Sequence, residues 1–272
     1  MKRRTFLQTS FLGLSISWSK PFRFSLEKDN QPVFRFAVAS DGHYGQPDTS
    51  YEADFSNLNK WLKGEKAKKG LDLIFINGDL FHDDPVFIPK VKSSFNQLPV
   101  PYYVTRGNHD RVNEDTWKQT WGYVPNHDFV VGDYAFVLAD TSNEKGEYLC
   151  ADAAWLEKTL QKHAAKKWIF VFMHIPPNKK WTDSGVDCVP VQEILEKTPN
   201  LAAVFHGHDH EIDDHKVNGG KHFFFDGHFG GNWGTTYKGY RIVEIYKDSS
   251  WSSYQCNPTL SPIINTFQVK AN

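Results

Sequence analysis

Five short polar clusters hold the side chains best suited to binding metal ions: Asp41-Gly42-His43, Gly78-Asp79, Gly107-Asn108-His109-Asp110, the single His174, and Gly207-His208-Asp209-His210. Together they offer imidazoles, carboxylates and one amide oxygen, with no thiolate. That donor set suits hard to borderline divalent or trivalent ions, because soft ions favour sulfur. Taken singly, none of the five is informative. A histidine at a strand end is more often packed core or solvated surface than a ligand, and Gly-Asp is ordinary turn chemistry. Their weight comes from their order and from what precedes each one.

Each cluster follows a run rich in β-branched and aromatic residues: Val33 to Ala39, Leu71 to Ile76, Pro101 to Thr105, Trp168 to Met173 and Leu201 to Phe205. These runs are almost continuously apolar, as strands buried on both faces are. Between the first two, Phe55, Leu58, Trp61 and Leu62 recur at helical intervals, and Ala154, Leu156, Leu160 and His163 do so later, predicting helices that cover a sheet. In an open α/β sheet, ligands bind beyond the carboxyl ends of the strands, so the five clusters converge on one crevice. Gly42, Gly78, Gly107 and Gly207 suit the tight strand-to-loop turns of such a site. Hairpins are predicted where Phe129-Val-Val turns at Gly132-Asp133 and where Lys216-Val turns at Asn218-Gly219-Gly220, and Gly239 to Tyr246 alternates as a further strand. Without an internal repeat or a Pro/Gly-rich break, residues 32–272 read as one domain.

The chain has 272 residues, 40% hydrophobic and 23% charged, which excludes disorder as its main state. Lys+Arg 31 against Asp+Glu 32 gives a formal charge of −1, so the broad attraction behind non-specific nucleic-acid binding is missing and no specific nucleic-acid partner is predicted. Cys150, Cys188 and Cys256 are widely spaced, allow at most one bridge and leave its pairing open. Arg3-Arg4 followed by the short apolar run Phe11 to Trp18 resembles a bacterial twin-arginine export signal, with a basic tail on a cytoplasmic protein as the alternative. Residues 1–31 are accordingly expected to be an export signal and linker, and the mature protein to act in the periplasm. The apolar run is too short to span a bilayer, so no integral membrane segment is predicted.

The order DxH, GD, GNHD, lone His, GHxH, in register from Asp41 to His210, resembles the calcineurin-like metallophosphoesterase superfamily. The resemblance implies an α/β fold of two facing mixed β-sheets flanked by helices, a four-layer αββα sandwich. It also implies two metal ions, drawn from Mn, Fe and Zn or a mixed pair. Asp41, His43, Asp79 and His210 would hold one ion, and Asp79, Asn108, His174 and His208 the other, with Asp79 shared. The chemistry agrees, since one carboxylate can offer its two oxygens to two ions, and two divalent ions over two carboxylates leave a net positive site that favours a phosphate. The implied reaction is hydrolysis of a small-molecule phosphate ester by a metal-bound hydroxide attacking phosphorus. His109 would support the leaving group, with Asp110 orienting it. Monoesters and diesters are not distinguished. The rival reading, a catalytically silent binding scaffold, is set against an intact His109 and a complete ligand set.

Several neighbours read more plainly. Asp83 and Asp84 precede Pro85 as turn residues, and His82 stands where purple acid phosphatases carry a ligating tyrosine, a departure from that branch. His206 and His228 read as packed histidines beside the site. Loops 176–189 and 226–237, with Lys179, Lys180, Trp181, Asn232 and Trp233, are either a substrate wall or plain exposed loops. Arg111 is placed to touch a phosphate or to pair with Asp110 or Asp115, and Trp61 and Trp155 are assigned to the core.

Overall fold

The computed structural model describes residues 31–259 and 265–269. Of the expected signal and linker only Gln31 is described, so that expectation lies outside the described residues. The described residues from Pro32 onward form one compact unit.

Five of its strands are the predicted runs: β1 (Phe34–Ala39), β2 (Leu73–Asn77), β3 (Tyr102–Thr105), β6 (Trp168–Phe172) and β7 (Leu201–His206). The expected hairpins are β4 (His127–Val131) with β5 (Tyr134–Leu138), and β8 (His215–Asn218) with β9 (Lys221–Phe225). β10 (Tyr240–Ile245) is the expected late strand, followed by β11 (Trp251–Cys256) and β12 (Asn265–Val269). The strands form two six-stranded sheets, ordered β12-β11-β10-β1-β2-β3 and β4-β5-β6-β7-β9-β8. Both are mixed. β1, β2 and β3 run parallel while β10 to β12 are antiparallel, and the parallel core β5-β6-β7-β9 has antiparallel edges β4 and β8.

Alternation along each strand builds the layers. Phe34, Phe36 and Val38 of β1, with Leu73 and Phe75 of β2, meet Phe170, Phe172 and Phe205 between the sheets. Phe36 lies within 5.1 to 6.3 Å of six other phenylalanine rings, those of Phe34, Phe75, Phe136, Phe170, Phe172 and Phe205. The intervening residues Ala37, Ala39, Ile74 and Ile76 turn outward to a layer of helices α1 (Tyr51–Lys69), α2 (Ile88–Phe95) and α3 (Glu114–Trp121), which bury Phe55, Leu58, Leu62, Phe95 and Trp117. On the far side, Ile169, Val171 and Met173 pack against Leu156 and Leu160 of α4 (Ala153–Lys162) and Val191 and Leu195 of α5 (Val189–Lys197). The result is the expected αββα sandwich. Trp61 and Trp155 flank these outer layers only half-buried.

The sheets are also tied where polar chemistry begins. At the end of β2, Asn77 donates through Nδ2 to Phe205 O of the opposite sheet (3.0 Å) and accepts from Thr105 Oγ1 (2.7 Å). The carboxyl ends of β2, β3 and β7 are thereby locked together, and polar clusters begin directly after them.

Candidate metal centre

The backbone bends sharply as it leaves the strands. Asp41, His43, Asp79 and His208 all adopt positive φ (59°, 46°, 52° and 69°), a left-handed conformation disfavoured for residues with a Cβ. Only surroundings that over-determine the chain keep such bends. Asp41 accepts the His208 N–H (3.0 and 3.1 Å), and Asp79 accepts the His109 N–H (2.8 Å), so each carboxylate fixes a loop from another strand. Two glycines permit this approach. A Cβ on Gly107 would stand 2.1 Å from Asp79 Oδ1, and one on Gly207 would stand 1.8 Å from Ser40 Oγ.

Six of the expected ligands gather as two adjoining clusters with donor atoms within 4.8 Å of one another: Asp41, His43 and His210, and Asp79, His174 and His208. Asp79 lies between them, its Oδ2 3.5 Å from His43 Nε2 and 3.2 Å from His174 Nε2. His174 Nδ1 is 2.7 Å from Asn77 O and His210 Nδ1 is 3.2 Å from Trp233 O. Donation to those carbonyls leaves each Nε2 with its lone pair directed into the site, as metal-binding imidazoles require.

The fit to cations rests on donor atoms that no hydrogen bond occupies. Asn108 Oδ1, His174 Nε2 and His208 Nε2 are buried without a hydrogen bond, although such atoms are normally satisfied. They are three of the four groups expected around the second ion. Around the first, His43 Nε2 and His210 Nε2 face each other at 3.0 Å. With His210 Nδ1 carrying its hydrogen, two lone pairs would meet unless a proton or cation joins them.

The titration directions tell the same story. Burial would raise Asp79, yet His174, His43 and His109 hold it well below the ordinary carboxylate range. Burial pushes His43 down to about 3 and His208 to about 4, keeping both neutral and able to ligate. His174 goes the other way: burial opposes its charge, but Asp79 and Asp41 raise it to about 10. The carboxylates draw positive charge to that point, and a cation satisfies the same attraction while releasing the proton.

His109 lies beside the pair, its ring 4.8 Å from that of His43 and stacked on His82 at 4.5 Å. The expected partnership with Asp110 is not the one formed. Asp110 is fully buried and accepts from the backbone N–H groups of Leu80 (2.8 Å), Phe81 (3.1 Å) and Gly107 (2.8 Å), clamping the loops after β2 and β3. His109 Nδ1 instead meets Asp83 Oδ1 at 2.9 Å. Asp83 is itself at positive φ (65°), and its Oδ1 also takes Arg111 Nε at 3.0 Å, so Arg111 pairs with neither Asp110 nor Asp115. The sequence carries no signal for this role, because an aspartate ahead of a proline reads first as a turn. Asp84 keeps the turn role, capping a short helical turn through the Val86 N–H.

His82 sits with its Nδ1 3.1 Å from His43 Nδ1. His206 directs Nδ1 to Met173 O (3.0 Å) and packs against Phe223 and Phe225, as a core histidine would. His228 spans its own loop to Gly230 O and Thr235 O and stacks on His210. Lys179, Lys180, Trp181 and Trp233 line a cleft of about 470 Å³ together with His208 and His210, whereas Asn232 faces a separate hollow beside Asp48 and Trp61.

The fold has known counterparts. A solved dimetal phosphatase from Danio rerio superposes with a TM-score of 0.72 at 12% identity, over 89% of this chain and all of that one. A purple acid phosphatase from yellow lupin (Lupinus luteus) seeds superposes at 0.62 with 15% identity, over 88% of this chain and 54% of its own. In sequence, a protein of Arcobacter nitrofigilis named a probable glycerophosphodiester phosphodiesterase is 28% identical over 161 residues, which is 52% of this chain and 57% of that protein. The profile described as calcineurin-like phosphoesterase matches residues 34–211, a span that contains all five polar clusters. With the strand order, the ligand clusters and that match in agreement, the chain belongs to the calcineurin-like phosphoesterase family.

Proposed function

We propose that the protein is a two-metal hydrolase of small phosphate esters, with diesters as its principal substrates. The observation that carries the reading is that Asn108 Oδ1 and His208 Nε2 are buried without a hydrogen-bond partner, beside His174 Nε2 and the shared Asp79 it faces at 3.2 Å. Asp41, His43, Asp79 and His210 would hold one ion, and Asp79, Asn108, His174 and His208 the second. Bound there, such a pair supplies Lewis acidity toward phosphate oxygens and activates a water as nucleophile.

The chain's own contribution is positional. The left-handed bends at Asp41, His43, Asp79 and His208 hold the donors in place before ligand arrives. His109, with Nδ1 against Asp83, directs Nε2 outward as the donor for the departing oxygen. The preference for diesters is supported by the name of the Arcobacter relative, although the match spans just over half of that protein's length. Action outside the cytoplasm is part of the reading. It is supported by the Arg3-Arg4 pair and by a disulfide between Cys150 and Cys188, a bond that persists in oxidising compartments.

The test is metal analysis and turnover together. Protein reconstituted with Mn, Zn or Fe is assayed on phosphomonoesters, acyclic diesters and cyclic nucleotides beside Asp79→Asn and His109→Ala. Asp79→Asn should hold fewer than two ions and lose activity. His109→Ala should keep both ions and lose about 10²–10⁴-fold in kcat. Equal turnover by wild type and Asp79→Asn on every compound would refute the proposal.

A further inference from the structure

Among the described residues, Tyr148 (47%) and Trp233 (40%) are the only exposed aromatic side chains, and each leans on an expected ligand. Trp233 stacks flat on His210, with centroids 4.2 Å apart and planes 6° apart, and lies 5.0 Å from His43. Tyr148 stands edge-on to His208 at 4.5 Å. One ring therefore flanks each donor cluster. Large aromatic faces left in water beside a polar centre mark contact surfaces, since their burial by a ligand is favourable and their exposure is otherwise unrewarded.

The segment carrying Tyr148 is held by a short bridge between Ser142 and Tyr148 and by the Leu149 N–H to Thr141 O bond (2.9 Å). Two residues on, Cys150 forms a disulfide with Cys188. Cys188 lies at the neck of loop 176–188, which is closed by the Val186 N–H to Pro176 O (2.9 Å) and Cys188 N–H to Pro177 O (3.1 Å) bonds. The tip of that loop, Lys179 to Ser184, lines the cleft beside His208, His210 and Trp233. The disulfide thus fastens the Tyr148 segment to the loop that lines the cleft beside His208, His210 and Trp233.

Building on the phosphoester reading above, we infer that Tyr148 and Trp233 are specificity residues that select esters whose organic substituents present a ring face (aryl, nucleosyl or glycosyl) over small alkyl esters, and that the Cys150–Cys188 bond fixes the spacing of the walls that make this choice. Substituents on phosphorus project to either side of the reacting atom, and on either side an aromatic surface is available to cover a ring. A methyl group covers far less of it.

Two measurements test the inference on the metal-loaded protein. The first is the ratio of kcat/KM for bis(p-nitrophenyl) phosphate over methyl p-nitrophenyl phosphate, which share a leaving group and differ in the retained substituent. The second, independent of turnover, is the calorimetric affinity ratio of phenylphosphonate over methylphosphonate. Wild type should favour the ring compound by about 10-fold or more in both, with the gain in KM rather than kcat. Tyr148→Ala and Trp233→Ala should each bring the ratios toward one, while Tyr148→Phe and Trp233→Phe retain them. The Cys150→Ser/Cys188→Ser variant should lower the ratios with metal content intact. Ratios near one in wild type, or unchanged in both alanine variants, would overturn the inference. Ring preference in binding without turnover of either ester would leave it standing and count against the hydrolase reading.

Discussion

At the residue scale the site is built from side chains whose partners are missing or displaced. Asp83 reads from the sequence as a turn residue, yet its Oδ1 gathers His109 Nδ1 and Arg111 Nε. Replacing it by asparagine should lower kcat about 10-fold while KM and metal content hold, because the group supporting proton donation is weakened and the ligands are untouched. Steady-state kinetics with metal analysis checks this. Asp110 answers differently. Its three backbone donors would face a partly donating amide in Asp110→Asn, so the loss should appear as about 1–3 kcal/mol of unfolding free energy in urea titrations. The six Asp and His side chains that the fold gathers were legible because each belongs to a polar cluster that follows an apolar run in a fixed order. The roles of Asp83, Asp110 and Tyr148 were not, because they depend on which loops the fold brings together and leave no periodic trace.

At the element scale, strand ends and the loops leaving them share the work. Gly207 follows β7 where a Cβ would strike Ser40 Oγ at 1.8 Å and Asp41 Oδ2 at 2.6 Å, and both belong to the turn after β1. Gly207→Ala should displace Asp41, lowering the affinity for the first ion while far-UV circular dichroism is preserved. A different sensitivity lies at the β8–β9 hairpin, where His215 Nε2 meets His222 Nδ1 at 3.1 Å under Phe267. Burial and His222 lower His215 to about 4, so the unfolded chain binds the proton more readily. Stability is therefore full above the unfolded value of about 6.5 and is lost as pH falls toward 4. Discounted for its partial exposure, the share of the pH 7 to pH 5 loss that His215 contributes should be about 1 kcal/mol, read by urea unfolding as the amount by which His215→Phe loses less than wild type. The buried strands were legible from continuous apolar runs. Helices α2, α3 and α5 are eight or nine residues long, too short for a firm helical period. β11 (Trp-Ser-Ser-Tyr-Gln-Cys) buries polar residues and so hides its strand character.

At the scale of the whole molecule, two sheets are joined by a phenylalanine-rich layer, and two loops by a disulfide closing 38 residues of chain. Constraining that loop in the unfolded state is worth about 2–4 kcal/mol, so Cys150→Ser/Cys188→Ser should unfold at correspondingly lower denaturant, provided two-state behaviour holds. The sandwich was legible once the motif order suggested its family. The pairing of Cys150 with Cys188, leaving Cys256 buried and free, was not, since three widely spaced cysteines allow any single pairing. The left-handed turns at Asp41, His43, Asp79 and His208 carry one further implication for the molecule as a working machine. Folding has already imposed those unfavourable angles, at about 1–3 kcal/mol apiece, so nothing in the chain must rearrange when ions arrive. Uptake should then proceed in rapid phases set by shedding of each ion's hydration shell, and stopped-flow mixing with an ion-sensitive dye would reveal any slow lag as a sign that the cradle is not ready-made.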